Sequence, residues 1–312
     1  MSSAAKHAQV SVVIPTLHRP RSLKLALESA LAQTHPVAEV LVVIDGPDPV
    51  TESVLHAIPD LRVRVVALPE TVGGSDARNI GVEAAASEWI AFLDDDDDWL
   101  PTKIERQLAM LPQADCDPIL SCRFLARTDS GDRIWPERLP QASEPLCEYL
   151  LTRRGLGRSD GFVATPTILT RRSLLRRVPF RSGLKKHQDW DWILRATREG
   201  ASVLFCPEVL ARCEMRTRRS TSRSADWRFS LAWIQQNRQL VTRRAYAGFV
   251  ATHVGWQAAE QREWGVFLPL LGDAWRSGSL SSADLLRYLG FWLVPAAARR
   301  RLHRLMSWDA GA

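Results

Sequence analysis

The chain has 312 residues and a formal net charge of +6, with 46% hydrophobic and 24% charged residues. That length fits one large domain, or one domain with a helical appendage, and the apolar fraction is ample for a core. The five cysteines (Cys116, Cys122, Cys147, Cys206 and Cys213) are odd in number and form no CxxC pair, which argues against a disulfide framework or zinc site and for a reducing compartment.

The mild basic excess points to anionic partners without choosing among nucleic acid, membrane and phosphorylated substrate. The opening MSSAAKHAQ has no apolar h-region, so a secretory signal is not expected and a cytoplasmic location is. No apolar run is long enough for a confident membrane-spanning helix. The nearest, LLRYLGFWLVPAAA, is interrupted by Arg287 and Pro295.

In chain order, QVSVVIP reads as a β-rich apolar strand. Pro20 then opens a segment with Leu23, Leu27, Ala30 and Leu31 at helical spacing. EVLVVID is a second buried strand. Asp48-Pro49 reads as cap and first residue of a helix over VTESVLHAI. RVRVVAL is a third strand. Gly73-Gly74 make a turn, and Ser75 opens the helix SDARNIGVEAAA. EWIAFL is a fourth strand, running into five consecutive aspartates, Asp94 to Asp98. Pro101 opens the helix PTKIERQLAML.

Beyond position 115 the pattern is less regular. TPTILTRRSLL reads as a strand then a helix, WDWILRATREG as a helix ended by Gly200, and SVLFCPEVLA as a strand. From about 225 onward the signal is helical, rich in Trp and Arg. Strands alternating with helices imply an α/β fold with a mostly parallel sheet flanked by helices. In such sheets ligands bind outside the carboxyl ends of the strands. Asp45 ends the second strand and the acidic run ends the fourth, so both are expected on one rim.

The acidic run admits two readings. It is an exposed, solvated turn, or its carboxylates hold a hard divalent cation such as Mg²⁺ or Mn²⁺, which takes oxygen ligands and bridges to substrate phosphates. Five acids with no cation repel one another.

The segments VSVVIPTLHRP, VLVVIDG, GGSDARNIGVEAAASEWIAFLDDDDDWLP and HQDWDWILR, in that order, resemble the successive signatures of family 2 glycosyltransferases with the GT-A fold. The resemblance runs from about Val10 to Leu210. It implies a GT-A domain over 10–220, after a flexible 1–9 and before a C-terminal helical region at 221–312. It implies metal-dependent, inverting sugar transfer from a nucleotide-diphosphate sugar, commonly UDP-linked, to a hydroxyl of a glycan or lipid-linked acceptor, with cell-envelope polysaccharide synthesis as the family-level setting.

The resemblance also implies roles. Pro15 and Thr16 match the loop lining the nucleotide site. Asp45 matches the acid that reads the nucleobase, although Asp45-Gly46 is equally a turn signal. Arg78 and Asn79 match an element of the nucleotide pocket; otherwise they are a solvated helix face. Asp94 and Asp96 match a DxD pair, with Asp96 the direct ligand of Mn²⁺ or Mg²⁺ and Asp95 and Asp97 as neighbours; Asp98 falls at a variable position. Asp189 matches the catalytic base, which takes the proton of the attacking acceptor hydroxyl; otherwise it caps its helix. Trp190 and Trp192 are candidate acceptor contacts, or core. His187 reads as local structure.

Two departures stand out. Gln188 replaces the usual Glu of the acceptor-side motif. EVLARCEMRTRRSTS lacks the histidine that completes the metal site in many relatives. Arg216, with Arg218 and Arg219, is a candidate contact for the diphosphate, or part of a basic loop. These departures support an alternative, a sugar-nucleotide-binding or scaffolding protein that has lost turnover. The C-terminal DLLRYLGFWLVPAAARRRLHRLM combines apolar residues with Arg299, Arg300, Arg301 and Arg304. It is expected either to lie peripherally on an anionic membrane surface or to pack its apolar side on the catalytic domain. No nucleic-acid module accompanies the charge, so nucleic acid is not expected as a partner. An Asp-nucleophile phosphatase wants Thr or Val where Asp98 stands, and an NAD-dependent oxidoreductase wants GxGxxG after the first strand, where the chain has PTLHRP.

Overall fold

The computed structural model describes residues 8–111, 117–129, 131–154, 161–216, 226–295 and 298. Cys116, Arg218, Arg219, Arg299, Arg300, Arg301 and Arg304 lie outside the described residues. The chain forms two compact units, Met1–Leu139 with Phe162–Ser222, and Pro140–Gly161 with Arg223–Ala312. The expected continuous span 10–220 is therefore interrupted, because Pro140–Gly161 groups with the later helices.

The first unit is built on β1 (Val10–Thr16), α1 (Pro20–Leu31), β2 (Glu39–Ile44), α2 (Pro49–His56), β3 (Val63–Ala67), α3 (Gly74–Ala84), β4 (Trp89–Phe92), β5 (Asp98–Trp99), α4 (Lys103–Leu108), β6 (Pro118–Thr128), β7 (Gly131–Trp135), β8 (Leu169–Arg171), α6 (Arg172–Arg177), α7 (Gln188–Arg198) and β9 (Ser202–Glu214). The helix α5 (Leu146–Leu151) belongs to the second unit.

Among the described residues, nine strands form one sheet in the order β3-β2-β1-β4-β8-β6-β9-β5, with β7 beside β6. β3, β2, β1 and β4 pair in parallel. β1 and β2 are apolar runs without alternation and are buried almost throughout, as strands covered on both faces must be. Beyond β4 the sheet is mixed. β8 is antiparallel to both β4 and β6, while β9 is parallel to β6. Two reversals restore the direction, so β9 runs the same way as β4. The carboxyl ends of β1, β2, β4 and β9 thus share one rim.

Local chemistry explains the elements. In α1, Leu23, Ala26, Leu27 and Ala30 fall on one buried face. Asp48 caps α2 by accepting from Thr51 N at 3.1 Å, with Pro49 at the first position. α3 starts one residue earlier than the sequence suggested: Gly73, at φ +91°, precedes it, and Ser75 lies inside the helix, buried. Gly81 lets α3 press on the sheet, since a Cβ there would meet Val13 Cγ1 at 2.4 Å.

The acidic run is not one turn. Its last residue, Asp98, forms with Trp99 a short strand antiparallel to β9. Pro101 and Thr102 complete a turn, so α4 begins only at Lys103. β9 continues past the expected end at Ala211 to Glu214. It absorbs Pro207 at a register shift opposite Cys122 and Arg123, where a proline takes no ladder donor away.

The second unit holds α5, α8 (Trp227–Gln236), α9 (Arg243–Phe249), a π-turn over Val250–Val254, α10 (Gly255–Glu260), α11 (Phe267–Arg276) and α12 (Ser282–Leu293). Thr242 caps α9 and donates to Glu148 Oε1 of α5 at 2.7 Å, which joins Pro140–Gly161 to this unit. Arg287, expected to interrupt an apolar stretch, is buried against Asp284 at 3.3 Å. Trp264, Leu268, Trp275, Leu286 and Leu293 are exposed. No helix among the described residues is long and apolar enough to cross a membrane.

Candidate active site

A cleft of about 480 Å³ opens at the shared rim of the first unit. Pro15, Thr16, Asp45, Arg78, Asp94, Asp95, Asp96 and Asp189, eight of the residues singled out by the sequence, all line it. They come from the ends of β1, β2 and β4, the second turn of α3 and the start of α7, which is where strand ends and helix starts meet in this topology.

Four acids of the run face the cleft and the fifth does not. Arg78 Nη2 donates to Asp94 Oδ1. Asp95 accepts from Thr16 Oγ1 at 2.8 Å and from Arg19 Nη1 at 3.0 Å. Asp96 accepts from the same Arg19 nitrogen at 2.8 Å. Asp97 accepts from the backbone N–H of Glu214 at 2.7 Å. Asp98 is held by Arg212 at 2.6 Å, with Arg127 at 3.6 Å, and is not part of the cleft lining. Burial pushes the Asp96 carboxyl up to about 6, and Asp94 and Asp95 push it the same way. Asp95 and Asp97 are also raised, chiefly by burial. Against the four cleft carboxylates the structure sets two guanidiniums, Arg19 and Arg78. That excess of negative oxygen fits a hard divalent cation. Among the described residues no group of three His, Cys, Asp or Glu side chains is already gathered around one metal position. A cation here would take carboxylates of the run and complete its shell with substrate or water oxygens.

Asp189 sits in the first turn of α7 and is half-buried. Burial pushes its carboxyl up to about 6, against the opposing pull of the Trp190 N–H and Arg78. The Trp190 N–H donates to Asp189 Oδ1 at 2.9 Å. Gln188 links the two ends of the site: its Oε1 accepts from Arg78 Nη1 at 2.9 Å, and its Nε2 donates to Leu184 O at 2.6 Å. The amide thus occupies the place of the Glu expected from the motif. His187 precedes α7 in a left-handed conformation at φ 63°. Burial takes its imidazole down to about 3, so it is neutral at physiological pH.

Asp45 lines the cleft but also ties down its wall. Its carboxylate accepts from Val72 N at 2.7 Å and Gly73 N at 3.0 Å, fixing the approach to α3.

Four expected contacts are corrected. Asn79 does not line the cleft: its amide clasps the backbone of Phe180, donating to the carbonyl at 2.8 Å and accepting from the N–H at 2.9 Å. Trp192 is fully buried, stacks on Phe180 and donates to Val178 O at 2.7 Å; it is core. Trp190 stacks on His187 and meets Phe162 edge-on, and these two partners, not Trp190, line the cleft. Arg216 pairs with Glu214 through Nε at 2.9 Å and Nη2 at 2.7 Å, leaving Glu214 and Met215 on the wall.

Sequence reasoning missed Arg19, Lys185, Lys186 and the Cys213–Glu214 end of β9, all in the lining. The continuous strand pattern past Ala211 was the available signal for the last group. Nothing local marked Arg19, because its role depends on the acids 76 and 77 residues away.

A family model described as glycosyl transferase family 2 matches residues 11–178, just over half of the chain. The amylovoran biosynthesis glycosyltransferase AmsB of Erwinia amylovora is 25% identical over 250 residues, covering 77% of this chain and 81% of that protein. The UDP-Glc:alpha-D-GlcNAc-diphosphoundecaprenol beta-1,3-glucosyltransferase WfgD of Escherichia coli is 30% identical over 102 residues, covering 33% of this chain and 40% of that protein. Among solved structures, S. aureus TarS 1–349 in complex with UDP-GlcNAc is similar in fold, with a TM-score of 0.58 at 18% identity, covering 91% of this chain and 90% of that chain.

Proposed function

Because the chain belongs to glycosyl transferase family 2, we propose that it transfers a sugar from a UDP-linked donor to a hydroxyl of a glycan or lipid-linked acceptor, with inversion and with a divalent cation, in cell-envelope polysaccharide synthesis. The observation that carries the reading is the convergence of Asp189 with Asp94, Asp95 and Asp96 on one cleft. The similarity to AmsB and WfgD supports the polysaccharide setting, and WfgD's named substrates support a UDP donor and a lipid-diphosphate acceptor.

In this reading Asp189 accepts the proton of the acceptor hydroxyl. That oxygen forms a bond to the anomeric carbon while the bond from that carbon to the diphosphate oxygen breaks. The electron pair leaves with the nucleoside diphosphate, and the anomeric centre inverts. A carboxyl raised to about 6 is ionised at neutral pH yet more basic than an ordinary aspartate, which suits a general base. Bound Mn²⁺ or Mg²⁺ supplies charge neutralisation for the leaving diphosphate. Asp96, with its neighbours in the run, would hold it. Arg78 orients Asp94 and, through Gln188, the start of α7. The protein would act on the cytoplasmic face of a membrane, with any contact to it peripheral.

The test is Asp189→Asn assayed for sugar transfer and for UDP binding by calorimetry. Lost transfer with retained binding is expected; undiminished transfer would remove the base from Asp189. Gln188 in place of Glu favours a second reading, a binding protein without turnover. UDP binding with no transfer by the wild type, across polyprenyl-diphosphate and glycan acceptors, would favour that one.

A further inference from the structure

The turn between β1 and α1 carries a cation that the proposed chemistry does not use. Arg19 Nη1 lies 3.0 Å from Asp95 Oδ1 and 2.8 Å from Asp96 Oδ2, so one nitrogen bridges two adjacent carboxylates. It reaches them from outside the acidic segment, and the approach is built by the fold. His18 adopts φ 56°, a costly conformation for a non-glycine residue. Its N–H donates to Asp48 Oδ2 at 2.6 Å. Asp48 is fixed in turn by Thr51, through the backbone N–H at 3.1 Å and the hydroxyl at 2.5 Å. Pro20 sets the next φ by opening α1. The backbone at Arg19 is thereby pinned on both sides, while its side chain remains about one-third exposed.

Resting on the reading that a divalent cation binds the acidic run, we propose that Arg19 is a built-in counter-cation. It occupies Asp95 and Asp96 when no metal is present and must leave them when metal binds. A guanidinium and a metal ion both need the lone pairs of these oxygens, so their occupancies compete. The device offsets part of the charge of the unloaded carboxylates and lowers the apparent affinity for the ion, because each binding event must first break two charge-assisted contacts.

The competition has a direction that ordinary damage does not share. Removing a residue that merely supports a metal site weakens binding, whereas removing a competitor tightens it. Titration of Mn²⁺ into Arg19→Gln, by calorimetry without nucleotide, is expected to give a dissociation constant lower than wild type by about 5- to 30-fold, the equivalent of losing one or two such contacts. Arg19→Lys keeps the charge without the planar fork and should fall between. Thermal unfolding in EDTA should show Arg19→Gln melting below wild type, with the gap closing on addition of Mn²⁺.

An unchanged or weaker Mn²⁺ constant in a folded Arg19→Gln, with wild type binding the ion, overturns the Arg19 assignment and leaves the metal reading standing. Binding by Arg19→Gln where wild type binds weakly or not at all supports it. Absence of Mn²⁺ binding in both proteins, with UDP present as well as without it, overturns the cation reading and this proposal together.

Discussion

Arg78 and Gln188, 110 residues apart in the chain, share a 2.9 Å hydrogen bond in the active-site cleft. The same guanidinium donates to Asp94. A residue in the second turn of α3 therefore couples the acidic run after β4 to the start of α7, where Asp189 stands. Gln188 presents a neutral amide oxygen to this shared arginine. Its neighbour Asp189 is thus spared a second adjacent carboxylate.

That neutrality has a measurable consequence. Gln188→Glu would place a negative charge beside Asp189 and claim part of Arg78, and both effects disfavour ionisation of the base. The acidic limb of the kcat/KM–pH profile is expected to move upward by about 0.5–1 unit. A limb moving to lower pH would contradict the arrangement.

Asp189 itself gives two linked predictions. As a base held at about 6, it must be ionised to act, so activity should fall as pH drops through about 6. Asp189→Asn should lower kcat by about 10²–10⁴-fold. For stability the sign is opposite. A carboxyl raised in the fold contributes stability at low pH that is lost as pH rises through the folded value. Asn keeps the neutral form at every pH. The variant should therefore be more stable than wild type at pH 8 by about 1–2 kcal/mol, with the difference vanishing below about pH 4. Urea unfolding at the two pH values checks this.

Lys103 is fully buried beneath the sheet's second half. Its ammonium donates to Gln107 Oε1 at 2.8 Å and sits 4.1 Å from the centre of the Trp99 ring. Burial lowers its pKa to about 8. The folded state thus binds this proton less tightly than the unfolded chain, and stability should rise as pH climbs from about 8 towards 10.5. Lys103→Met keeps the length and removes the charge. It is expected to raise stability at pH 7 by about 1–3 kcal/mol, after subtracting the lost hydrogen bond and cation–π contact. The gain should shrink to nothing above about pH 10.5. Thermal melts across that range test it.

The two tryptophans of QDWDW should separate cleanly. Trp192→Ala empties a closed core site and should cost about 3–5 kcal/mol. Trp190→Ala removes the ring stacked on His187. It should change KM for the acceptor more than global stability, because His187 is what the cleft presents. Chemical denaturation and steady-state kinetics on both variants distinguish the roles.

The parallel strands β1, β2 and β4 and the helices between them were legible because period and capping are local: buried runs such as EVLVVI, Leu23 and Leu27 at helical spacing, Asp48 before Pro49. The candidate residues at those strand ends were legible for the same reason, since Asp45 and Asp94 follow directly from where the strands stop. What the sequence could not determine was everything set by contacts across long separations. Asn79 and Arg78 are adjacent on one helix, yet one clasps Phe180 and the other enters the cleft. Trp190 and Trp192 are two residues apart, yet about 200° of helical rotation sends one to His187 and the other into the core. Asp98 leaves the acidic run because β9 offers it Arg212. Arg19 joins that run because Asp48 turns His18. Local pattern is written in neighbouring residues. Which charge meets which is decided only when the sheet brings distant strand ends to one rim.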